Sequence, residues 1–374
     1  MSLPVVGVPV VPEPSTEPAA ASDPSNPLAR PSVARDAALR ALDALAYPPG
    51  LAEQIVVSSE VMPYRFWIVD NSGSMQTADG KRLVRDATGQ LRSVAATRWD
   101  ELSQVVLQTA EVAAAIGARL DLHLLNRYGP HPQFMTLTAP DTDADAVPLS
   151  RMCTVNEVRQ CMHSITPSGR TPLTAAVAQI EARLQPVAAR LAAAGQKAVV
   201  VLCTDGLPDD PTTFLQAVQR LQSLPVWLVV RLCTDDDRVV EYWNALDAKL
   251  EAPLEVLDDE AGEAKEVHAA GNRWLTYAPQ LHLARQFGMH SKLFDLLDET
   301  TLLPSQIAAF CEELLGCSPL PEPDVDATAF TQALRGELDK LPQVYDPIHR
   351  RMRPWIDLAK IRRAGSRTAV CALL

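Results

Sequence analysis

Three nearly unbroken apolar runs limit most strongly how this chain can fold: RFWIV at 65–69, AVVVLC at 198–203 and VWLVV at 226–230. A strand with one face in water alternates apolar and polar residues, whereas a strand covered on both faces reads as a continuous apolar run. Between and after these runs lie segments whose apolar residues recur at three and four, the period of an amphipathic helix. They are RWDELSQVVLQTAEVAAAIG (98–117), a long stretch over about 172–194, PTTFLQAVQRLQ (211–222) and RVVEYWNALDAKL (238–250). Buried strands alternating with helices predict an α/β fold, a doubly wound and mostly parallel sheet with helices on both faces. LDLHLLN (120–126) and PLEVLDD (253–259) supply further strands, and KRLVRDATGQLRSV (81–94) reads as a hairpin turning near Thr88-Gly89.

In such sheets ligands gather at the carboxyl ends of the strands. Asp70 ends the first run, in VDNSGSM, and Asp205 ends the second, in LCTDG. Both therefore point to one rim. Ser72 and Ser74 follow Asp70 at alternate positions, and Gly73 lets the backbone bend between them. Thr171, in SGRTPL, opens the long helix, which must start near the same rim to run back antiparallel to the strands. Two carboxylates and three hydroxyls, with no His or Cys among them, suit a hard cation such as Mg²⁺ or Mn²⁺. Carboxylates acting through waters would leave the ion with excess positive charge and an appetite for an anion, such as a carboxylate of a partner protein. Each piece also has an ordinary reading. Ser, Asp and Asn after a strand cap the next helix, and Thr171 before Pro172 makes a good N-cap with Pro at the first helical position.

VDNSGSM resembles the Asp-x-Ser-x-Ser motif of the von Willebrand factor A (VWA) domain family, the metal-ion-dependent adhesion site. That family also carries a Thr in a Gly-containing loop before a helix and an Asp ending a later strand, often as Thr-Asp-Gly. Gly169-Arg170-Thr171 and Thr204-Asp205-Gly206 are similar in order and spacing. The resemblance covers roughly residues 62 to 260. It implies that Ser72, Ser74 and Thr171 touch a metal through hydroxyls, and that Asp70 and Asp205 hold it directly or through water. It implies a Mg-dependent protein-protein interaction module of the adhesion or scaffold type, not an enzyme. Two features depart from the pattern: the hairpin at 81–94 and the long irregular stretch 129–152, both placed to flank the metal.

Two other readings stay open. One is a Mg-dependent hydrolase or phosphatase using Asp70. A haloacid-dehalogenase-type nucleophile needs a second acid two positions on, where Ser72 stands. Neither Ser72 nor Ser74 lies in Gly-x-Ser-x-Gly, and no Walker-type phosphate loop occurs. The other is a VWA-like scaffold without metal. The net charge of -12 argues against a general nucleic-acid binder, which needs a basic face for phosphates. The 7 Cys are scattered without zinc spacing, and Cys203 and Cys233 fall inside apolar runs, so buried thiols in a reducing, cytoplasmic compartment are expected. Asp209 and Asp210, and Asp235 to Asp237, are helix caps or additions to the negative field of the rim. The 7 His show no ligand spacing and read as ordinary core or surface residues.

The chain divides into a Pro-rich disordered arm (1–31), an N-terminal helical segment (32–61), the VWA-like domain (62–270), a helical extension (271–345) and a basic tail (346–374). No stretch is long enough to cross a membrane as a helix. In the tail, HRRMRPWIDLAKIRRAGSR interleaves Trp355, Ile356 and Leu358 with Arg and Lys. This suits an anionic membrane surface, or alternatively a basic segment docked on the acidic domain. The final Cys371-Ala-Leu-Leu resembles a prenylation box with geranylgeranyl favoured by the terminal Leu. Together these place the protein on the cytoplasmic face of a membrane as an expectation.

Overall fold

The computed structural model describes residues 32–138, 151–234, 236–250 and 254–361. Helices α1 (Ser32–Ala44) and α2 (Pro49–Val61) precede strand β1 (Tyr64–Val69). A hairpin of β2 (Gly80–Arg85) and β3 (Leu91–Ala96) follows, then α3 (Arg98–Ala115), β4 (Leu120–Leu124), β5 (Phe134–Leu137) and β6 (Arg151–Met152). Next come α4 (Val155–Ser164), α5 (Leu173–Ala193), β7 (Ala198–Thr204), α6 (Pro211–Gln222), β8 (Val226–Leu232), α7 (Asp237–Asp247), β9 (Leu254–Leu257) and α8 (Glu260–Ala269). The chain continues through α9 (Pro279–Gln286), α10 (Lys292–Glu299), α11 (Pro304–Leu315) and α12 (Ala327–Leu338) to a small hairpin, β10 (Val344–Asp346) and β11 (Arg351–Arg353).

Seven strands form one sheet in the order β6-β5-β4-β1-β7-β8-β9. All neighbours are parallel except β4 and β5, which are antiparallel. The α/β, mostly parallel architecture expected from the apolar runs is what forms. Residues of β1 divide between its faces: Trp67 and Val69 join one core, and Tyr64, Phe66 and Ile68 the other. Helices α5, α6 and α7 cover the second face through Leu173, Val177, Ile180, Phe214 and Trp243. Helix α3 covers the first through Leu102, Val106 and Ala110, together with the N-terminal and C-terminal helices. Successive strands are added on one side of β1 and then on the other, so the switch in winding falls between β1 and β7.

One proline-rich break joins the first two helices. Tyr47-Pro48-Pro49-Gly50 ends α1, and Pro49 then starts α2 as its first residue, where a missing N–H costs nothing. Gly50 is needed there because α2 runs against the end of α11: a Cβ at this position would lie 2.2 Å from the Glu313 carbonyl oxygen.

Of the two readings of the basic tail, the structure overturns the membrane-surface role of Trp355 and Ile356. Trp355 and Ile356 are each 1% exposed and packed in the core, with Ile356 bridging Leu275. Their apolar surface is spent on packing and is not offered to a membrane. Arg353 bonds Asp346 and Asp357 within the same segment, and Lys360 Nζ donates to the Arg273 carbonyl. Burial of Trp355 makes Trp355→Ala a core deletion. Residues 362–374, including Cys371, lie outside the described residues, as do the arm 1–31 and the stretch 139–150. No described helix is long and apolar enough to cross a membrane.

Strand β4 carries a buried histidine. His123 is 2% exposed, stacks on Phe134 with ring centroids 4.1 Å apart, and has Arg183 nearby. Burial, aided by Arg183, pushes it down to about 4. The unfolded chain, with an ordinary His value, binds more protons than the folded one between that value and about 6.5, so stability falls as pH drops through this window. A loss of up to about 3 kcal/mol at pH 4 is expected from this residue, from about 1.4 kcal/mol per pH unit. His123→Gln should flatten that slope in urea unfolding at acid and neutral pH; an unchanged slope would assign the acid sensitivity to other groups.

Candidate functional site: an oxygen-lined rim at the switch point

Strands β1 and β7 are parallel neighbours in register, with Val69 beside Cys203. Their next residues, Asp70 and Thr204, therefore leave the sheet side by side, and Asp205 follows. Asp70 is fully buried, Ser72 is 1% exposed and Asp205 4%. Ser74 is exposed and Thr171 half-buried, which leaves the rim open on their side.

The side chains converge. Ser72 and Ser74 hydroxyls lie 3.1 Å apart, and the Ser74 hydroxyl donates to Asp205 Oδ1 at 2.8 Å. Asp70 Oδ1 accepts the Ser72 N–H at 2.8 Å, and Asp70 Oδ2 accepts the Thr204 hydroxyl at 2.7 Å. Thr171 stands over Gly206: a Cβ on that glycine would lie 3.8 Å from the Thr171 hydroxyl oxygen. Desolvation pushes the Asp70 carboxyl up to about 6, with Asp205 adding to the rise and the hydrogen bonds from Ser72 and Thr204 opposing it. A carboxylate held this far from water beside a second one is an environment that a bound cation relieves.

The loops are tied to one another by backbone and amide bonds. Gly73 N–H donates to the Gly169 carbonyl at 3.2 Å, and Ser168 N–H to the Asn71 carbonyl at 2.8 Å. The Asn71 side chain bonds both ways with the Asn126 backbone, and Asn126 Nδ2 donates to the Arg170 carbonyl at 2.8 Å. Gly169 is required in this clamp. Its φ is +90°, and a Cβ would come within 3.0 Å of the Asn126 side chain. The Asp70 loop and the Thr171 loop are thus one assembly, and Asn71 and Asn126 hold it. Only Asn71 was visible in the motif; Asn126 at the end of β4 carried no sequence signal beyond its place at the rim.

The capping explanation fails at both places where it applied. No side chain caps α5, whose N-cap residue is Pro172 and whose first helical residue is Leu173. The short 3₁₀ turn Gly73–Gln76 follows Ser72 without a side-chain cap either. Asp210 and Asp236, in contrast, do cap α6 and α7, accepting from Thr212 N–H and Arg238 N–H at 3.0 Å each. Asp235 lies outside the described residues.

One residue that sequence reasoning missed alters the electrostatics. Arg98, the first residue of α3 and directly after the inserted hairpin, donates through Nη1 to Asp205 Oδ2 at 2.8 Å. Its other nitrogens grip both oxygens of Asp79 at 2.7 and 2.6 Å. The hairpin thereby brings a fixed positive charge to the rim, and an arginine in such a bidentate pair stays ionised. The six thiols within the described residues are free, with Cys203 and Cys233 buried, as their apolar surroundings indicated.

The fold and rim together define a doubly wound α/β chain whose carboxyl edge presents hard oxygen donors at the winding switch. No family model and no curated protein matches the chain. Among solved structures, two of proximal thread matrix protein 1 from the mussel byssus are similar at 13% identity and a TM-score of 0.29, covering 46% of this chain and 38% of theirs. One of the two is described as having a zinc-occupied MIDAS motif. The chain spans under two fifths of the length of those structures, and the likeness carries no argument about function.

Proposed function

We propose that this protein is a metal-dependent protein-interaction module, which grips an acidic side chain of a partner through a divalent cation at the rim. The observation that carries this reading is the direct contact chain Ser72–Ser74–Asp205 beside the buried Asp70, with Thr171 standing over the adjacent Gly206. Ser72, Ser74 and Thr171 would offer hydroxyls and Asp205 a carboxylate. Asp70, both of whose oxygens already accept hydrogen bonds, would act chiefly through water. The all-oxygen donor set fits Mg²⁺ or Mn²⁺ better than a thiophilic ion. Such a cation supplies an open, positively charged coordination position for a carboxylate. Leu207, 43% exposed next to Gly206, adds an apolar contact at the same edge.

The test is capture of partners on the full chain in Mg²⁺ and in excess chelator. Partners retained only with Mg²⁺, and released by acidic competitor peptides, are expected; identical capture in chelator sinks the reading. A hydrolase using Asp70 as a nucleophile is disfavoured by its burial, and generic phosphatase assays test it directly.

Arg98 should weaken the cation. Its guanidinium shares Asp205, so a divalent ion there meets a like charge within a few ångströms. Arg98→Ala is expected to tighten Mn²⁺ binding by about tenfold, or about 1.4 kcal/mol, in calorimetric titration. Weaker binding would instead make Arg98 the residue that orients Asp205 for the ion.

Membrane attachment is a separate proposal resting on Cys371 alone, now that Trp355 and Ile356 are placed in the core. Cys371→Ser should move the protein from the membrane to the soluble fraction of a eukaryotic cell; unchanged fractionation removes the idea.

A further inference from the structure

We propose that a cavity beneath the inserted hairpin is a second binding site, taking a small organic dianion of the short dicarboxylate type. The inference does not rest on the cation reading, since none of Asp70, Ser72, Ser74, Thr171 and Asp205 lines this cavity. Its walls come from β2 and β3, α3, β8, α8, α9, β10 and the turn after it, and its volume is about 190 Å³. A cavity of about 150 Å³ already holds a benzene-sized molecule.

Three of its lining residues are almost wholly buried: Arg231 at 1%, His282 at 3% and Gln286 at 0% exposure. Among the described residues, nothing hydrogen-bonds Arg231 Nε, His282 Nε2 or either amide atom of Gln286. Each buried polar group left unpaired costs about 1–3 kcal/mol, and folded proteins carry few of them. Several on residues that line one cavity are the pattern of a site that its ligand completes.

The hydrogen-bonding sense of these atoms follows from their neighbours. Arg285 Nη1 donates to the Tyr277 hydroxyl oxygen at 3.2 Å. The assignment that leaves neither group unpaired sends that hydroxyl's one hydrogen to His282 Nδ1, also at 3.2 Å. Burial holds the imidazole neutral, well below its usual value, so His282 Nε2 carries the remaining hydrogen and is a donor. Arg231 Nε–H and the Gln286 amide nitrogen are donors as well. The unpaired set thus has donors on three residues against one acceptor, Gln286 Oε1, and one of the donors is cationic. An anion is the complement.

The acids on the walls do not cancel this preference. Glu101 accepts from Arg231 Nη2 at 2.9 Å and from the Lys81 N–H at 2.8 Å. Asp259 caps α8 through the Gly262 N–H and faces Lys81 Nζ at 3.4 Å. Desolvation, with Asp259 and Glu101 close by and Arg231 opposing, pushes the Glu260 carboxyl up to about 8, which lessens its repulsion of an anion at neutral pH. Lys265 and Arg350, both exposed, add positive charge to the lining. One acid group on the buried donors and a second against these two cations describes a dianion of a few carbons.

The test uses the full chain in buffer with chelator, so that the cation rim plays no part. Succinate and malonate are titrated calorimetrically, with acetate as the single-acid control. One site with a Kd below about 1 mM is expected for at least one dicarboxylate, and weaker binding of acetate. Gln286→Leu, which removes the unpaired amide, should weaken that binding by at least about tenfold without lowering thermal stability. Lys265→Glu, on an exposed residue that cannot endanger folding, should weaken it several-fold, whereas Asp70→Asn should leave it unchanged. Absence of binding by both dicarboxylates, or binding that survives both Gln286→Leu and Lys265→Glu, overturns the proposal and leaves a cavity for water only.

Discussion

Asp70→Asn is expected to reduce affinity for Mg²⁺ or Mn²⁺ by about 100-fold or more while leaving the fold intact, on the scale seen when a metal site loses an essential supporting carboxylate. Asn keeps the shape of the side chain. Its carbonyl oxygen can accept the Ser72 N–H, and its amide can donate to the Thr204 hydroxyl oxygen, reversing that bond without breaking it. What disappears is the charge, which burial already penalises in the absence of a cation. In chelator, therefore, the variant should melt at the same temperature as the parent or higher. In millimolar Mg²⁺ the parent should gain stability with cation concentration and the variant should not. Equal cation-dependent shifts in both proteins would exclude Asp70 from the site, whatever the partner is.

Arg285→Ala is expected to cost about 3–5 kcal/mol of unfolding free energy, the largest single loss outside the apolar core. Arg285 is 4% exposed and donates to Glu255, Glu263 and Asp298 at 3.0, 2.7 and 3.2 Å. Removing it strands the buried Glu263 and leaves the partly buried Glu255 and Asp298 without their cation. Burial raises Glu263 and Arg285 opposes that rise, so deletion of the arginine raises it further. The sign of the pH effect follows. Folded carboxyls then hold protons that the unfolded chain releases above about 4.5, so stability of the variant rises as pH falls through this window. Urea unfolding at about pH 5 and pH 7.5 should show the smaller deficit at the lower pH. Glu263→Gln combined with Arg285→Ala should recover part of the loss.

The sheet and its main helices were legible in the sequence because buried strands and amphipathic helices leave local periodicities. The long helix expected over 172–194 forms as Leu173–Ala193, and PTTFLQAVQRLQ forms α6. The rim was legible because Asp70 and Asp205 each end such a strand, and strand ends in a parallel sheet share an edge. Arg98 was not legible. Its role depends on the path of the hairpin that precedes it, and an arginine opening an amphipathic helix has no signature of its own. The tail admitted two readings for a related reason. Trp355 and Ile356 among arginines look alike whether they meet a lipid surface or the protein's own core, and only the long-range contacts with residues such as Leu275 decide. The cavity polar groups were hidden similarly: His282 and Gln286 sit on one helix, but Arg231 comes from a strand in the middle of the chain.

The close approach of Gly50 to the end of α11 also bears on how the protein is made. Helix α2 leaves the ribosome about 250 residues before α11 does, yet Gln54 donates to the Glu313 carbonyl and Leu51, Ile55 and Val56 are buried in the core shared with that helix. At about 5–20 residues per second, the first helices wait on the order of 10–50 s for the layer that covers them. During that interval an apolar helix face and one side of a growing parallel sheet stand open together, the condition under which nascent chains recruit chaperones. Shortening the chain before Pro304 would make that interval permanent.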